Sequence, residues 1–562
     1  MGTEEAARDG HSPIWKLWAN PIVCRYARSR LRPRGLGVAL LITLMIASFI
    51  FFFSRAVYEG QGTSRVDLAR VPLVALLVLQ GLILFVLATG QMAGGITAEA
   101  DEGVIDYQRL APMTPLAKVV GFLFGLPIRE YVLFLVTLPF SLWSLWRGEV
   151  PFAIACQLYG VFMIAAVLYH LTGLVAGTVV KNRRWAFLLS MGVVFLLYTI
   201  VPQASKIGLV YFKYVTIGPV FKECLPYLVP RDVGAGVETL RNLMPPARFF
   251  DLDLPQAVFT VATQAILIIA MIVMLWRRWF RAESHLMGKV GAVGLFGWVQ
   301  VMLLGNALPL VNEGDVFPSG IRRNWQFNDN VWSPHPDEVA VMSGAYGLVT
   351  LVILWAMIVM VTPNRDRQVR GWRRARKLGQ ERLAPGSDPA TSFPWVGIMV
   401  FTGAAGWFWF TKEVVESHWF AGTLMPVGAA GAFFLVLATA GFGFHALLEL
   451  KSPRVAGLYA LLVGAAPLLV GIVLGATSEN FASLAIWIVG VSPVVGPIYV
   501  TGSVLPLVDF DADFMSDLPR AFWFWQAVSA LVALNLIGKL RRLRKGIAAN
   551  SLCGDDRSSM AE

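Results

Sequence analysis

Along almost the whole chain, long apolar stretches alternate with short connections rich in Lys, Arg, Gly and Pro. A helix needs roughly 18 or more largely apolar residues to cross the hydrocarbon of a bilayer. Twelve stretches meet that length: 35–54, 71–92, 119–146, 151–180, 185–202, 256–276, 289–310, 339–362, 393–411, 421–447, 456–476 and 521–538. The pattern predicts an all-α polytopic membrane protein with twelve transmembrane helices. One further apolar stretch, 482–507, reads SPVVGPIYVTGSVLP in its middle. Pro and Gly at that density break a continuous helix, so a re-entrant segment is expected there.

Basic residues orient the spans, because cytoplasmic flanks carry an excess of Lys and Arg. With both ends inside and 482–507 on the outer face, the inner segments hold 32 Lys and Arg and the outer segments 14. A thirteenth span would instead put Lys539, Arg541, Arg542, Arg544 and Lys545 outside and the acidic run DFDADFMSD inside. Twelve spans with both termini cytosolic, in a plasma (bacterial inner) membrane, is the better arrangement. The first apolar stretch begins only at residue 35 and lacks the cleavage pattern of a secretory leader.

Composition agrees: 56% of residues are hydrophobic, only 15% are charged and the mean hydropathy is +0.62, which excludes a water-soluble enzyme and a disordered chain. A net charge of +11 would suggest nucleic acid, but most of the cations flank membrane spans, so no nucleic-acid partner is expected. Cys24, Cys156, Cys224 and Cys553 have no metal-ligand spacing, so neither a metal site nor a disulfide framework follows.

Two halves of six spans are expected, 35–284 and 285–545, the second a degenerate repeat; residues 1–34 would precede them as a cytosolic interfacial helix and 546–562 follow as a cytosolic tail. K-x-x-R-x-A precedes the fifth span of each half, at 181–186 and 451–456. The tetrapeptide RLAP recurs before each third span, at Arg109–Pro112 and Arg382–Pro385. Repeated halves fit a transport pathway between them.

The segment with most chemistry is ITAEADEGVIDYQRLAPMTPLAKVVGFLFG, residues 96–125. Glu99, Asp101, Glu102 and Asp106 place four acids where a cytosolic loop should be basic, and a cytosolic amphipathic helix broken at Pro112 and Pro115 is expected. Ahead of the first span, Trp15, Trp18, Ile22, Val23 and Tyr26 can line one side of a helix while Arg25, Arg28, Arg30 and Arg32 meet headgroups, the make-up of an interfacial helix in contact with membrane lipid.

Residues 18–280 resemble the type-2 ATP-binding-cassette exporter permeases. That family joins acidic residues, E-G-T-L-E, a turn ending T-P-x-S-P and a Gly-ended helix. Glu99, Glu102, Gly103, Asp106, Leu110, Pro112 and Pro115 fall on the pattern, with Val104, Ile105 and Asp106 where the family has Thr, Leu and Glu. The resemblance implies that a segment including Asp101, Tyr107 and Arg109 as well couples the spans to a separate ATP-binding subunit, two such subunits, of one kind or two, being expected. ATP and Mg would then bind in that partner, with no cofactor in this chain. The chain itself has no G-x-x-x-x-G-K-[ST] loop. The second-half link 363–392 keeps RLAP without the acidic signature; its Arg373, Arg374, Arg376, Arg382 and Pro385 form either a second docking surface or an anchor to anionic lipid.

Ionisable residues inside spans are further candidates. Arg129 and Glu130 follow Pro127; helical neighbours point about 100° apart, so the two are not expected to pair, and a bend there sends both outward to the interface. His170 and His445 each sit in a fourth span, expected as neutral groups bonded to a neighbouring helix. The favoured reading is thus the permease subunit of an ATP-driven exporter, not itself an enzyme. An ion-driven secondary transporter, which needs buried carboxylates, and a membrane-bound transferase using Asp509, Asp511, Asp513 and Asp517 are the alternatives.

Overall fold

The computed structural model describes residues 17–59, 63–180, 182–231, 246–281, 283–318, 334–451, 453–477, 481–505 and 512–553. Trp15, Lys181, Asp509 and Asp511 lie outside them, as does most of the tail 546–562. Twelve helices among the described residues are long and apolar enough to cross a membrane: Pro33–Glu59, Arg65–Asp101, Ile128–Arg147, Phe152–Val179, Arg183–Ile207, Gln256–Phe280, Lys289–Val311, Pro336–Val361, Phe393–Val415, Val427–Leu450, Val455–Thr477 and Asp517–Ile547. The protein is therefore an all-α multi-pass membrane protein. Strand among the described residues is one pair, Ala247–Phe249 with Leu252–Leu254.

Several helices differ from the apolar runs that announced them. The run 119–146 is two helices, Pro115–Gly125 and Ile128–Arg147, because Pro127 has no N–H to continue the ladder. Eleven residues at 1.5 Å each reach only about 16 Å, so Pro115–Gly125 cannot cross. The second span runs on to Asp101, nine residues beyond its apolar stretch. The stretch 482–507 forms two short helices, Ala482–Val489 and Gly496–Val504, separated by turns around Pro493.

The chain divides into two compact units. The first comprises Met1–Gln203, Phe212–Ala247 and Asp253–Ala282, the second Ala204–Tyr211, Arg248–Leu252 and Glu283–Glu562. In the first, Pro21–Arg30 begins under an Asn20 cap whose Oδ1 accepts from Ile22 N–H at 3.0 Å, while Asn20 Nδ2 donates to Ala117 O at 2.8 Å. Gly121 and Gly125, one helical turn apart, let this helix come close: a Cβ on Gly121 would lie 2.8 Å from Asn20 Oδ1, and one on Gly125 3.0 Å from the Tyr26 ring. Beneath it Phe122 stacks on Trp279 at 5.1 Å. Deeper in the unit, Gln80 joins three helices: its Nε2 donates to Thr137 Oγ1 and Ser141 Oγ, and its Oε1 accepts from Tyr159 O–H.

In the second unit Trp407 stacks on Phe433 at 4.2 Å and Tyr346 on Phe410 at 4.8 Å. Gln300 again bridges a tyrosine and a threonine, accepting from Tyr346 O–H and donating to Thr350 Oγ1. Buried Lys289 donates to the carbonyls of Ser387 and Ala390, both at 2.6 Å, and so pins the link ahead of Phe393–Val415. RLAP has two conformations: Arg109 and Leu110 end a helix, whereas Arg382–Pro385 lies in turns and irregular chain. The shared letters carry no shared local fold.

Candidate functional site

The second span ends at Asp101 because Gly103 takes φ +71°, a left-handed conformation that glycine adopts without strain. A short helix, Val104–Leu110, follows, and Thr114 then caps Pro115–Gly125, its Oγ1 accepting from Ala117 N–H. The segment 96–118 is thus no independent amphipathic helix; its first residues complete a membrane span.

Glu99 does not face outward with the other acids. Its side chain is 7% exposed and gathers three elements: Arg25 Nη2 donates to Oε1 at 2.6 Å, Tyr26 O–H also donates to Oε1, and Gln108 Nε2 donates to Oε2 at 3.0 Å. Burial, and then the bond to Glu99, push the Tyr26 phenol well above its usual range. Lys118, also buried, donates to Arg109 O and caps the end of the short helix, while Ile105 packs its inner face. The corner is held from three sides.

What remains outward is a compact surface. Tyr107 and Leu110, three residues apart on the short helix, are 82% and 83% exposed. Asp101, Glu102, Gly103, Asp106 and Pro112 are exposed around them, with Arg109 bonded back to Asp106; Pro115 is half-buried. Two large side chains, Tyr107 and Leu110, are thus held out on a braced corner with Asp101, Glu102 and Asp106 around them.

The intramembrane candidates differ from expectation. Arg129 and Glu130 do pair: Arg129 Nη2 lies 2.8 Å and Nε 3.1 Å from Glu130 Oε1, because the long guanidinium side chain folds back over its neighbour. Glu130 is fully buried rather than reaching outward, and its Oε2 has no hydrogen-bond partner among the described residues. His170 behaves as the sequence suggests. The Leu84 carbonyl, in the wide π-type turn Leu82–Ala88, can only accept, so His170 Nε2 donates to it at 2.9 Å and Nδ1 accepts from Tyr131 O–H at 2.9 Å.

In the second unit the link 363–392 contains the helix Arg365–Lys377, which buries Gln368, Gly371 and Ala375. Arg373 and Arg374 are exposed, Arg374 3.9 Å from Glu283; Arg376 lies over the Trp372 ring; Arg382 and Pro385 are exposed beyond the helix. Sequence reading missed the group that fastens this helix. Buried Glu449 accepts from Arg544 Nε at 2.8 Å, from Arg544 Nη2 and from Gln368 Nε2, with His445 Nε2 at 3.3 Å. Its signal was an acid at the end of an otherwise apolar run, as for Glu99. Nearby, burial and the Arg367 guanidinium pull the His285 imidazole down to about 4. Asp517 accepts from Ser483 Oγ and lies 3.8 Å from Arg520 Nη1. Cys156 and Cys224 are not joined in a disulfide, the first being exposed and the second buried.

No family model matches the chain, and no similar curated protein or solved structure was found.

Proposed function

We propose that this chain is the membrane-spanning permease subunit of an ATP-driven exporter, docking a separate ATP-binding subunit on the corner Asp101–Pro112. The observation that carries the reading is the exposure of Tyr107 and Leu110 within an acidic ring on a segment braced from beneath by Glu99, Ile105 and Lys118. Bracing matters, since a loop that transmits force must move as one body with the spans it joins. On this reading the corner and both termini face the cytosol of a plasma membrane. ATP and Mg bind in the partner, and one copy of this chain engages two ATP-binding subunits. The exposed Arg373, Arg374 and Arg382 present the second subunit with a surface of opposite charge, so two different ATPase chains are expected.

An ion-driven carrier is the second reading, favoured by the fully buried Glu130 with an unpartnered oxygen. One experiment separates the two. Tagged chain purified from its native membrane should bring down a P-loop ATPase, and Tyr107→Asp with Leu110→Asp should abolish that capture and the substrate-stimulated ATP hydrolysis that depends on it, since two central interface anchors at about 2 kcal/mol each weaken binding roughly a thousandfold. Transport that persists in the double variant, and instead collapses with an ionophore and with Glu130→Gln, would replace the exporter with the carrier.

A further inference from the structure

The first unit also contains a cavity of about 680 Å³ between the end of Pro21–Arg30, the start of Pro33–Glu59 and the start of Ile128–Arg147. Four of the residues that line it are arginines, Arg30, Arg32, Arg34 and Arg129. No acid lines the cavity among the described residues, and Arg129 is paired with Glu130 Oε1. Arg30 is held in place by a bond from Nη1 to Gln91 Oε1 at 3.0 Å and lies over the Tyr26 ring. Arg32 and Arg34 are exposed.

Backbone adds to the same sign. Pro33, Arg34 and Gly35 are the first residues of a 27-residue helix and also line the cavity. The first helical N–H bond there is Leu36 N–H to Arg32 O, so the amides of Arg34 and Gly35 precede the ladder and are available to an anion. No atom lies within 4 Å of where a Gly35 Cβ would be, which leaves the approach open.

Immediately beyond the cavity the same helix turns apolar outward. Val38, Leu41, Ile42, Met45 and Phe49, spaced as one helical face, are each more than half exposed. A ligand that matches both features has an anionic head and an apolar tail. We propose that this cavity binds the phosphate head of an anionic membrane lipid, whose acyl chain lies along that face of Pro33–Glu59. The site does not depend on what the protein transports.

Full-length chain in neutral detergent, titrated with phosphatidylglycerol or phosphatidylcholine and read by native mass spectrometry, tests this. Phosphatidylglycerol should bind saturably and outcompete phosphatidylcholine. Arg32→Gln with Arg34→Gln should weaken it roughly thirtyfold, each basic residue near a lipid surface contributing about a factor of five. Arg28→Gln with Arg184→Gln removes the same charge from exposed arginines outside the cavity and should change nothing. Gly35→Glu places an acid in the open approach and should reproduce the loss, so the site remains testable if the arginine double variant unfolds. Equal weakening in both arginine doubles would show diffuse surface charge and overturn the site. Equal affinity for the two lipids would do the same, and displacement of lipid by millimolar inorganic phosphate would reassign the cavity to a free anion.

Discussion

Glu99 and Glu449 are the two carboxylates that each unit buries at the end of a span, and they are satisfied alike by different parts of the chain. Glu99 closes the second span and draws in Arg25 and Tyr26 from a helix ahead of the first span. Glu449 closes Val427–Leu450 and draws in Arg544 from the far end of the last span helix and Gln368 from the basic link. In both, a basic element that looks like a topology signal is a structural partner. The difference is in burial: Arg25 is 49% exposed, whereas Arg544 is 25% exposed and His445 beside it is fully buried. Water can screen the first pair and hardly reaches the second.

That difference can be tested directly. Removing one partner of a buried ion pair costs about 3–5 kcal/mol, so Glu449→Ala should produce the largest fall in thermal stability in detergent, followed by tryptophan fluorescence. Equal losses from Glu449→Ala and Glu99→Ala would break the comparison, since the Glu99 change should cost about half as much with Arg25 still reaching solvent.

Acid should act on the second unit first. His285 has a folded value near 4 against an ordinary 6.5, so the unfolded chain binds the extra proton between those values. Its contribution is complete above pH 6.5 and is lost as pH falls toward 4, at most about 3 kcal/mol. Melting at pH 5 should therefore drop relative to pH 7 while the buried Cys224 thiol of the first unit stays unlabelled. His285→Gln should remove most of the drop.

The two glutamine bridges sharpen the comparison at a smaller scale. Gln80 makes three side-chain hydrogen bonds and Gln300 two. At about 0.6–1 kcal/mol per interhelical bond in a membrane protein, Gln80→Leu should cost slightly more than Gln300→Leu, as ranked by urea denaturation. Gly406→Ala should act like Gln300→Leu, because its Cβ would lie 2.7 Å from Gln300 Oε1 and 2.9 Å from Tyr346 O–H.

Much of the fold was legible because a bilayer imposes a length on every crossing, and runs of apolar residues declare it. The twelve spans and the interruption in 482–507 follow from that constraint. The split at Pro127 was visible as a proline but was read as a bend, since a long apolar run outweighs one missing N–H until packing shows where each piece goes. The acids of the 96–118 segment were legible as a group, yet Glu99 could not be told from Asp101 by composition. Only Tyr26 and Gln108, one 73 residues and the other 9 residues away, mark it as the inward one.

Taken alone, the amino-acid order determined that this chain lives in a membrane, how many times it is able to cross, and which connections carry charge, because hydrophobic length and helical hydrogen bonding are local properties. Which charges are partners was decided by the tertiary structure. Arg25 with Glu99 and Arg544 with Glu449 depend on where helices distant in sequence come to rest, and even for neighbours such as Arg129 and Glu130 the pairing is set by side-chain reach and burial rather than by spacing along the chain.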